Sequence, residues 1–286
     1  MDLLWLGVLG VIWGASYLFI KVAVAEVPPF TLVAARLLLG AAVLWILLLT
    51  AGKSRQAVPR GWALWRLFAV MGLLNGALPY SLIFWGEQYI SSGLASLLQA
   101  TTPVFTVILA QLQGDERMGP AKLVGIVAGF VGVGILMLPD LRQGLHASLL
   151  GQAAIVASSL SYAAAAIFAR SRLRGQPALV STTGQLTMGA VYMVPLSLLV
   201  DRPFHLSPSL PAVASWLALT LVGTVVAYII YYAVLDRTSA TFVSTVTYII
   251  PVNGLLLGAL VLGEPLSATL LVGLALILLG VLLVRR

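Results

Sequence analysis

Ten runs of about twenty apolar residues, joined by short connections, fill this 286-residue chain and decide what it can fold into. A helix needs roughly 20 such residues to cross the hydrocarbon core of a bilayer. The runs cover 3–25, 30–50, 66–86, 92–112, 121–138, 148–169, 179–200, 212–234, 240–262 and 267–284. The longest connection, from Thr50 to Trp65, leaves no room for a soluble domain. Only 9% of the residues are charged and 60% are hydrophobic, far from the soluble class. Long unbroken runs also exclude an outer-membrane barrel, whose strands read as alternating segments of about ten residues. The predicted fold is therefore all-α and polytopic, with the lipid bilayer as its first partner.

Charge sets the expected orientation. With the N-terminus inside, the inner connections carry Lys53, Arg55, Arg60, Arg66, Arg117, Lys122, Arg170, Arg172, Arg174, Arg237, Arg285 and Arg286, against Arg142 and Arg202 outside. Twelve against two predicts cytoplasmic N- and C-termini. The net charge of +7 thus reads as loops facing anionic lipid, and no nucleic-acid partner is expected. Ala23-Val24-Ala25 resembles a signal-peptide cleavage site, but MDLLWLG carries no basic segment and the run is too long, so the first span is read as retained. Cysteine is absent, which removes disulfides and thiolate metal sites from consideration.

Beneath the apolar background lies a repeat. At a constant separation of 148 residues Tyr80 pairs with Tyr228, Ser91 with Ser239, Pro103 with Pro251, Glu116 with Glu264, Gly125 with Gly273 and Gly132 with Gly280. Leucine matches are cheap in such a composition; proline, glutamate and paired glycines at one separation are not. One residue further apart, RLLLGA from Arg36 meets QLTMGA from Gln185, and Trp13 meets Tyr162. Residues 1–147 and 148–286 read as two five-helix units. Five is odd, so the second unit enters the membrane inverted, an arrangement that recurs in transporters with a site at the repeat interface.

Polar residues at mid-depth mark where that site should be. SSGLASLLQATTPVF puts Gln99, Thr101, Thr102 and Pro103 inside a span, and SATFVSTVTYIIPVN repeats the pattern around Thr247, Tyr248, Pro251 and Asn253. Proline removes a helical hydrogen bond, and freed carbonyls persist in a membrane only where protein or a water-filled cavity satisfies them. Pro103 and Pro251 are expected to bend their helices, either as packed kinks or as walls of a pathway. Trp13, Tyr17, Asn75, Tyr80, Gln99, Tyr162, Tyr228 and Tyr248 lie deep enough to line a cavity, where an aromatic body can stack and its polar tip needs a partner. Arg36, about seven residues into its span, either pairs with the protein or meets a substrate carboxylate; Lys21 is expected to snorkel outward. All nine carboxylates fall at span ends or loops, so either transport is not proton-driven or coupling runs through Glu87 or another span-end group; passive, gradient-driven movement is favoured. Spans 5 and 10, featureless but for glycines, read as packing struts.

Enzyme chemistry finds no foothold. There is no HExxH or GxSxG motif and no pair of intramembrane carboxylates; GDERMG at Gly114–Gly119 has P-loop glycine spacing without the following Lys-Ser/Thr. No metal or cofactor is expected.

The opening GVIWGASYLFIK, AARLLLGA, and the twice-used block SGLASLLQATTPVFTVILAQLQGDERM…LVGIVAGFVGVGIL and SATFVSTVTYIIPVNGLLLGALVLGEPLSATLLVGLALILLGVLL resemble the drug/metabolite transporter superfamily, and within it the EamA type, over the whole chain. The first copy departs from the family's Gly-Glu ending by an extra residue before Glu116. The resemblance implies a bacterial inner-membrane carrier of small molecules with alternating access between the repeats. It is nearest to the YddG-type exporters of aromatic amino acids. Flipping of lipid or lipid-linked sugars, and export of purines or drugs, stay open alternatives, as does the oligomeric state.

Overall fold

The computed structural model describes residues 1–50, 59, 61–113, 119–143, 146–235, 237–238 and 240–284. Lys53, Arg55, Arg60, Asp115, Glu116, Arg117, Asp236, Ser239, Arg285 and Arg286, used in the sequence reading, lie outside them.

Among the described residues ten helices form the bundle: α1 Asp2–Val24, α2 Pro29–Thr50, α3 Trp62–Gly86, α4 Ser92–Leu112, α5 Pro120–Gln143, α6 Ala147–Arg172, α7 Ala178–Asp201, α8 Leu210–Leu235, α9 Phe242–Leu262 and α10 Ala268–Val284. Nine are long and apolar enough to cross a membrane; α10, at 17 residues, is slightly shorter. The helices run alternately up and down, so α1 begins and α10 finishes at the same end. That end is termed terminal here, and the opposite end distal.

Packing follows the inverted repeat. α2 lies on α7 and α5 on α10, each helix against its own counterpart, and α4 against α9 completes the set. Other large contacts come in exchanged pairs: α1 on α9 mirrors α6 on α4, and α1 on α8 mirrors α6 on α3. Lipid is as apolar as leucine, so close backbone approach, rather than hydrophobic burial, holds such pairs together. The α5–α10 pair shows how. A Cβ on Gly125 would sit 2.8 Å from the Gly280 carbonyl oxygen, one on Gly280 would sit 2.7 Å from the Gly125 oxygen, and Gly132 meets Ile277 and the Gly273 carbonyl.

Two helical irregularities also obey the repeat. A π-helical segment interrupts α3 at Leu73–Ala77, and another interrupts α8 at Ala218–Val226, the matching stretch 148 residues on. Such segments leave a carbonyl without its usual partner; in α3, Ser161 of α6 donates its hydroxyl to the Leu74 carbonyl at 2.7 Å.

The prolines behave differently in the two halves. α4 breaks after Gln99 and restarts at Thr102, with Pro103 in the first turn of the new segment, where no N–H is needed. Pro251 instead lies within a continuous stretch, Val246–Leu262, and the break of α9 falls earlier, at Thr245, after Ala240–Ser244. The hydroxyls decide this location: Thr245 donates to the Phe242 carbonyl at 2.6 Å and Thr247 to that of Ser244 at 2.9 Å.

Gly125→Val and Gly280→Val should each destabilise the bundle by about 1–3 kcal/mol through forced separation of two backbones. Gly134→Ala, where a Cβ meets nothing within 4 Å, should not. Thermal unfolding in detergent checks this; equal midpoints for all three variants would contradict it.

Candidate functional site

Between the repeats lies a cavity of about 1640 Å³. Ligand pockets closed around a small molecule are roughly 300–1000 Å³, so this is a vestibule with a pocket at its base. Its walls come from spans 1–4 and 6–9, while α5 and α10 contribute only Lys122 and Val284. The lining extends to Arg170, Gln176 and Leu235 at the terminal end. At the distal end it stops at Ile20, Ile83 and Phe84, and no residue of the distal connections takes part. The cavity is thus open at one end and blind at the other.

Most of the predicted residues meet at its base. Trp13, Tyr17, Asn75, Tyr80, Gln99, Tyr162 and Tyr228 line it, together with Arg36, Pro103 and Pro251. Tyr248 does not: it stands against α10, with its hydroxyl 3.4 Å from the Val281 carbonyl. Tyr80 stacks edge-on against Tyr162 with ring centroids 6.5 Å apart, and Trp13 tilts against Tyr231 at 5.8 Å.

Arg36 is 6% exposed. Its guanidinium lies over the Tyr80 ring at 4.2 Å, and its Nε donates to Thr224 Oγ1 at 3.1 Å. The π-helical segment of α8 carries that threonine, and the one in α3 carries Asn75, whose Nδ2 donates to Gln185 Oε1 at 3.1 Å. Arg36 pairs with no carboxylate among the described residues. Among the described residues the lining contains Arg36, Lys122 and Arg170 and no aspartate or glutamate. A cavity of this kind favours an anion or the carboxylate end of a zwitterion and disfavours a cation.

The break in α4 is satisfied from within. Thr101 and Thr102 donate their hydroxyls to the carbonyls of Leu98 and Gln99 at 2.7 and 2.8 Å. The Gln99 side chain donates to Thr102 Oγ1 at 3.1 Å and accepts from the Ser158 hydroxyl at 2.6 Å. Ser159 adds longer bonds to the same two carbonyls. The polar residues that looked foreign to a span therefore replace the hydrogen bonds that proline removes, and they hold Gln99 at the cavity wall.

Carboxylates hold the blind end. Glu264 accepts from the N–H groups of Ser92 at 2.7 Å and Gly93 at 2.9 Å, and Ser91 Oγ accepts from Leu94 N–H at 3.2 Å. A helix start leaves its first N–H groups without partners and carries partial positive charge, so a carboxylate there satisfies both. Gly263, with φ of 68°, turns the chain at the end of α9 so that Glu264 points back across the repeat interface. A Cβ on Gly258 would fall on the Glu264 Oε2 atom. Asp201 caps α2 in the same way through Thr31 N–H at 2.7 Å. Glu26 accepts from Ser209 N–H and Oγ at the start of α8, and the side-chain bond first, then the backbone one, holds this exposed carboxylate below its ordinary range. Asp140 takes bonds from Ser148, Gln152 and the His146 ring at the start of α6.

Two sequence expectations are corrected here. Lys21 does not snorkel to solvent; its ammonium donates to the carbonyls of Glu87 and Ile90, at 2.6 and 2.7 Å, beyond the end of α3. Glu87 is not an accessible span-end carboxylate either. It is fully buried, because the α3–α4 connection folds under Lys21 and the Glu264 cap. Gln185 and Tyr231 were not singled out from sequence, although Gln185 stands opposite Arg36 in the repeat alignment and Tyr231 lies one helical turn after Tyr228.

A ten-helix inverted repeat around a cavity open at one end defines a membrane carrier. The EamA-like transporter family model matches this chain twice, at residues 2–138 and 149–286, and the chain belongs to that family. It is 25% identical to the uncharacterized transporter YoaV of Bacillus subtilis over 96% of this chain and 94% of that protein. It is 29% identical to protein PecM of Dickeya dadantii, over 96% and 89%. A probable amino-acid metabolite efflux pump of Salmonella typhimurium is 28% identical, over 94% and 90%. A solved crystal structure superposes with a TM-score of 0.69, covering 97% of this chain and 94% of that one at 21% identity, which supports the fold.

Glu264→Ala removes two charge-assisted bonds and should cost about 1.5–3 kcal/mol. Gly258→Ala, which displaces the same carboxylate, should lower the unfolding midpoint comparably. Unchanged midpoints for both variants would show that this cap does not hold the distal end.

Proposed function

We propose that the chain is an exporter of amino acids, aromatic ones among them, from the bacterial cytoplasm across the inner membrane. Both termini are cytoplasmic in this reading, so the cavity faces the cytoplasm, and the distal end is the outer side. Transport proceeds by alternating access, with substrate moving down its own gradient.

The observation that carries the substrate class is Arg36. A buried guanidinium stacked on Tyr80, with no carboxylate among the described residues to neutralise it, presents a planar fork of donors to the cavity and suits a substrate carboxylate. Trp13, Tyr17, Tyr162, Tyr228 and Tyr231 surround the same space and suit an aromatic side chain. Hydroxyls and amides, among them Gln99, Asn75 and Gln185, are at hand for the amino group. Relatives named as probable amino-acid metabolite efflux pumps support the same class. Absence of an acidic residue from the described lining speaks against cationic drugs.

The role of Arg36 predicts its mutational signature. Losing a hydrogen-bonded charge contact of about 1.5–3 kcal/mol should lower efflux of phenylalanine and tryptophan roughly ten- to a hundredfold in Arg36→Ala. Amine-only analogues such as phenethylamine should be far less affected, and Arg36→Lys should lie between. Proteoliposomes loaded with labelled phenylalanine, tryptophan, threonine, glutamate and adenine provide the assay. Selective efflux of the aromatic pair by the unaltered protein supports the proposal. Efflux of adenine alone, or of none of the five, would overturn it and favour purines or lipid-linked substrates.

A further inference from the structure

Five carboxylates lie at the distal end, and four of them have hydrogen-bond partners at a helix start: Glu26, Asp140, Asp201 and Glu264. The fifth, Glu87, is 0% exposed, and neither carboxylate oxygen accepts a hydrogen bond. It is anchored at both backbone ends, its N–H on the Ile83 carbonyl at 2.9 Å and its carbonyl on Lys21 Nζ at 2.6 Å. The side chain is thus fixed in place without being satisfied.

An ionised carboxylate is among the costliest groups to bury without a partner, and a buried group in that position takes up a proton instead. The surrounding charges do not remove the cost. Lys21 on α1 is the near cation, but its ammonium bonds the Glu87 and Ile90 carbonyls and not the Glu87 carboxylate. Glu264, at the α9–α10 connection, opposes a second negative charge. Tyr17 on α1 interacts with the same carboxylate. From α6, Gly151 and Ile155 pack against Gly86, and Tyr162 meets Tyr80; from α2, Arg36 meets Tyr80 at 4.2 Å and Phe84 at 5.9 Å. Glu87 does not line the cavity. In this conformation it is sealed from both sides.

We infer that Glu87 is a proton-binding site of the distal closure: the outer end shuts only over protonated Glu87, taking one proton from the solution on that side and returning it on opening. Opening separates the α3–α4 connection from Glu264 and hydrates the carboxylate, which then ionises. The proton enters and leaves by the same face, so substrate movement stays passive while its rate follows the external pH. This rests on the alternating-access reading above, and it is independent of which substrate is carried.

Linkage of one proton fixes the size of the effect. Wherever Glu87 is ionised in the open state, each unit of acidification raises the ratio of closed to open protein tenfold. The chain has no cysteine, so a labelled pair can be introduced without background. Spin labels on Gln88→Cys and Leu266→Cys, both exposed, report the distance between the two distal connections in substrate-free protein in lipid nanodiscs. The closed fraction should rise with acidification in the parent protein, up to tenfold in ratio per pH unit, and stay high and flat in Glu87→Gln. Glu26 is present in both proteins, so its own titration cancels in the comparison. A parent that ignores pH, or a Glu87→Gln variant that keeps the parental profile, would overturn the inference. Infrared spectroscopy adds a readout that needs no stable variant in the labelled background. A protonated carboxyl stretch should be present at neutral pH and absent from Glu87→Gln, and its absence from the unaltered protein would equally overturn the inference. Neither measurement involves substrate, so failure of the amino-acid assay leaves this result standing, and the reverse.

Discussion

The Glu264 carboxylate on the first two N–H groups of α4 is the contact on which the present conformation depends. It joins the last connection of the second repeat to the middle of the first, and it does so where a bilayer tolerates no loose ends. A helix start without partners is costly near hydrocarbon. The distal end can therefore open only if another acceptor, water included, replaces what Glu264 supplies. Gly263 and Gly258 are what allow the contact: the first turns the chain, the second leaves room for the carboxylate.

Beneath that seal the cavity is built by the same logic. Three departures from a regular helix are matched by hydroxyls, from the same helix or a neighbouring one. Ser161 serves the π-helical segment of α3, Thr101 and Thr102 serve the break in α4, and Thr245 and Thr247 serve the break in α9. These irregularities place Asn75, Gln99 and the Arg36–Thr224 pair around one space. Arg36 differs from the rest because its surroundings only partly satisfy it. Thr224 and the Tyr80 face hold it, but no carboxylate among the described residues answers its charge.

Much of this was legible in the sequence. Span number follows from the length of apolar runs, and the inverted repeat from proline, glycine and tyrosine at one separation. The depth of the site followed from polar residues at mid-span. Direction around each helix was not legible. In a soluble protein the polar face marks the outside, but here both lipid and interior are apolar, so Tyr228 in the cavity and Tyr248 against α10 look alike. Pro251 misled for a related reason, since threonine hydroxyls rather than the proline fix where α9 breaks. Glu87 sits at a span end in the sequence and is buried only because the α3–α4 connection folds beneath Lys21 and Glu264, contacts that span 66 residues or more along the chain. Gln185 was within reach, because the repeat places it opposite Arg36.

The central claim is that one cavity, between two inverted repeats, is open toward the cytoplasm and sealed toward the outside. Thr106 lies on its wall at mid-depth in α4. A single Thr106→Cys substitution, probed with a membrane-impermeant maleimide in intact cells and in inside-out vesicles, tests the claim directly. The account predicts rapid labelling in inside-out vesicles, slow labelling in intact cells, and protection by phenylalanine. Rapid labelling from intact cells with none from the vesicles would contradict it.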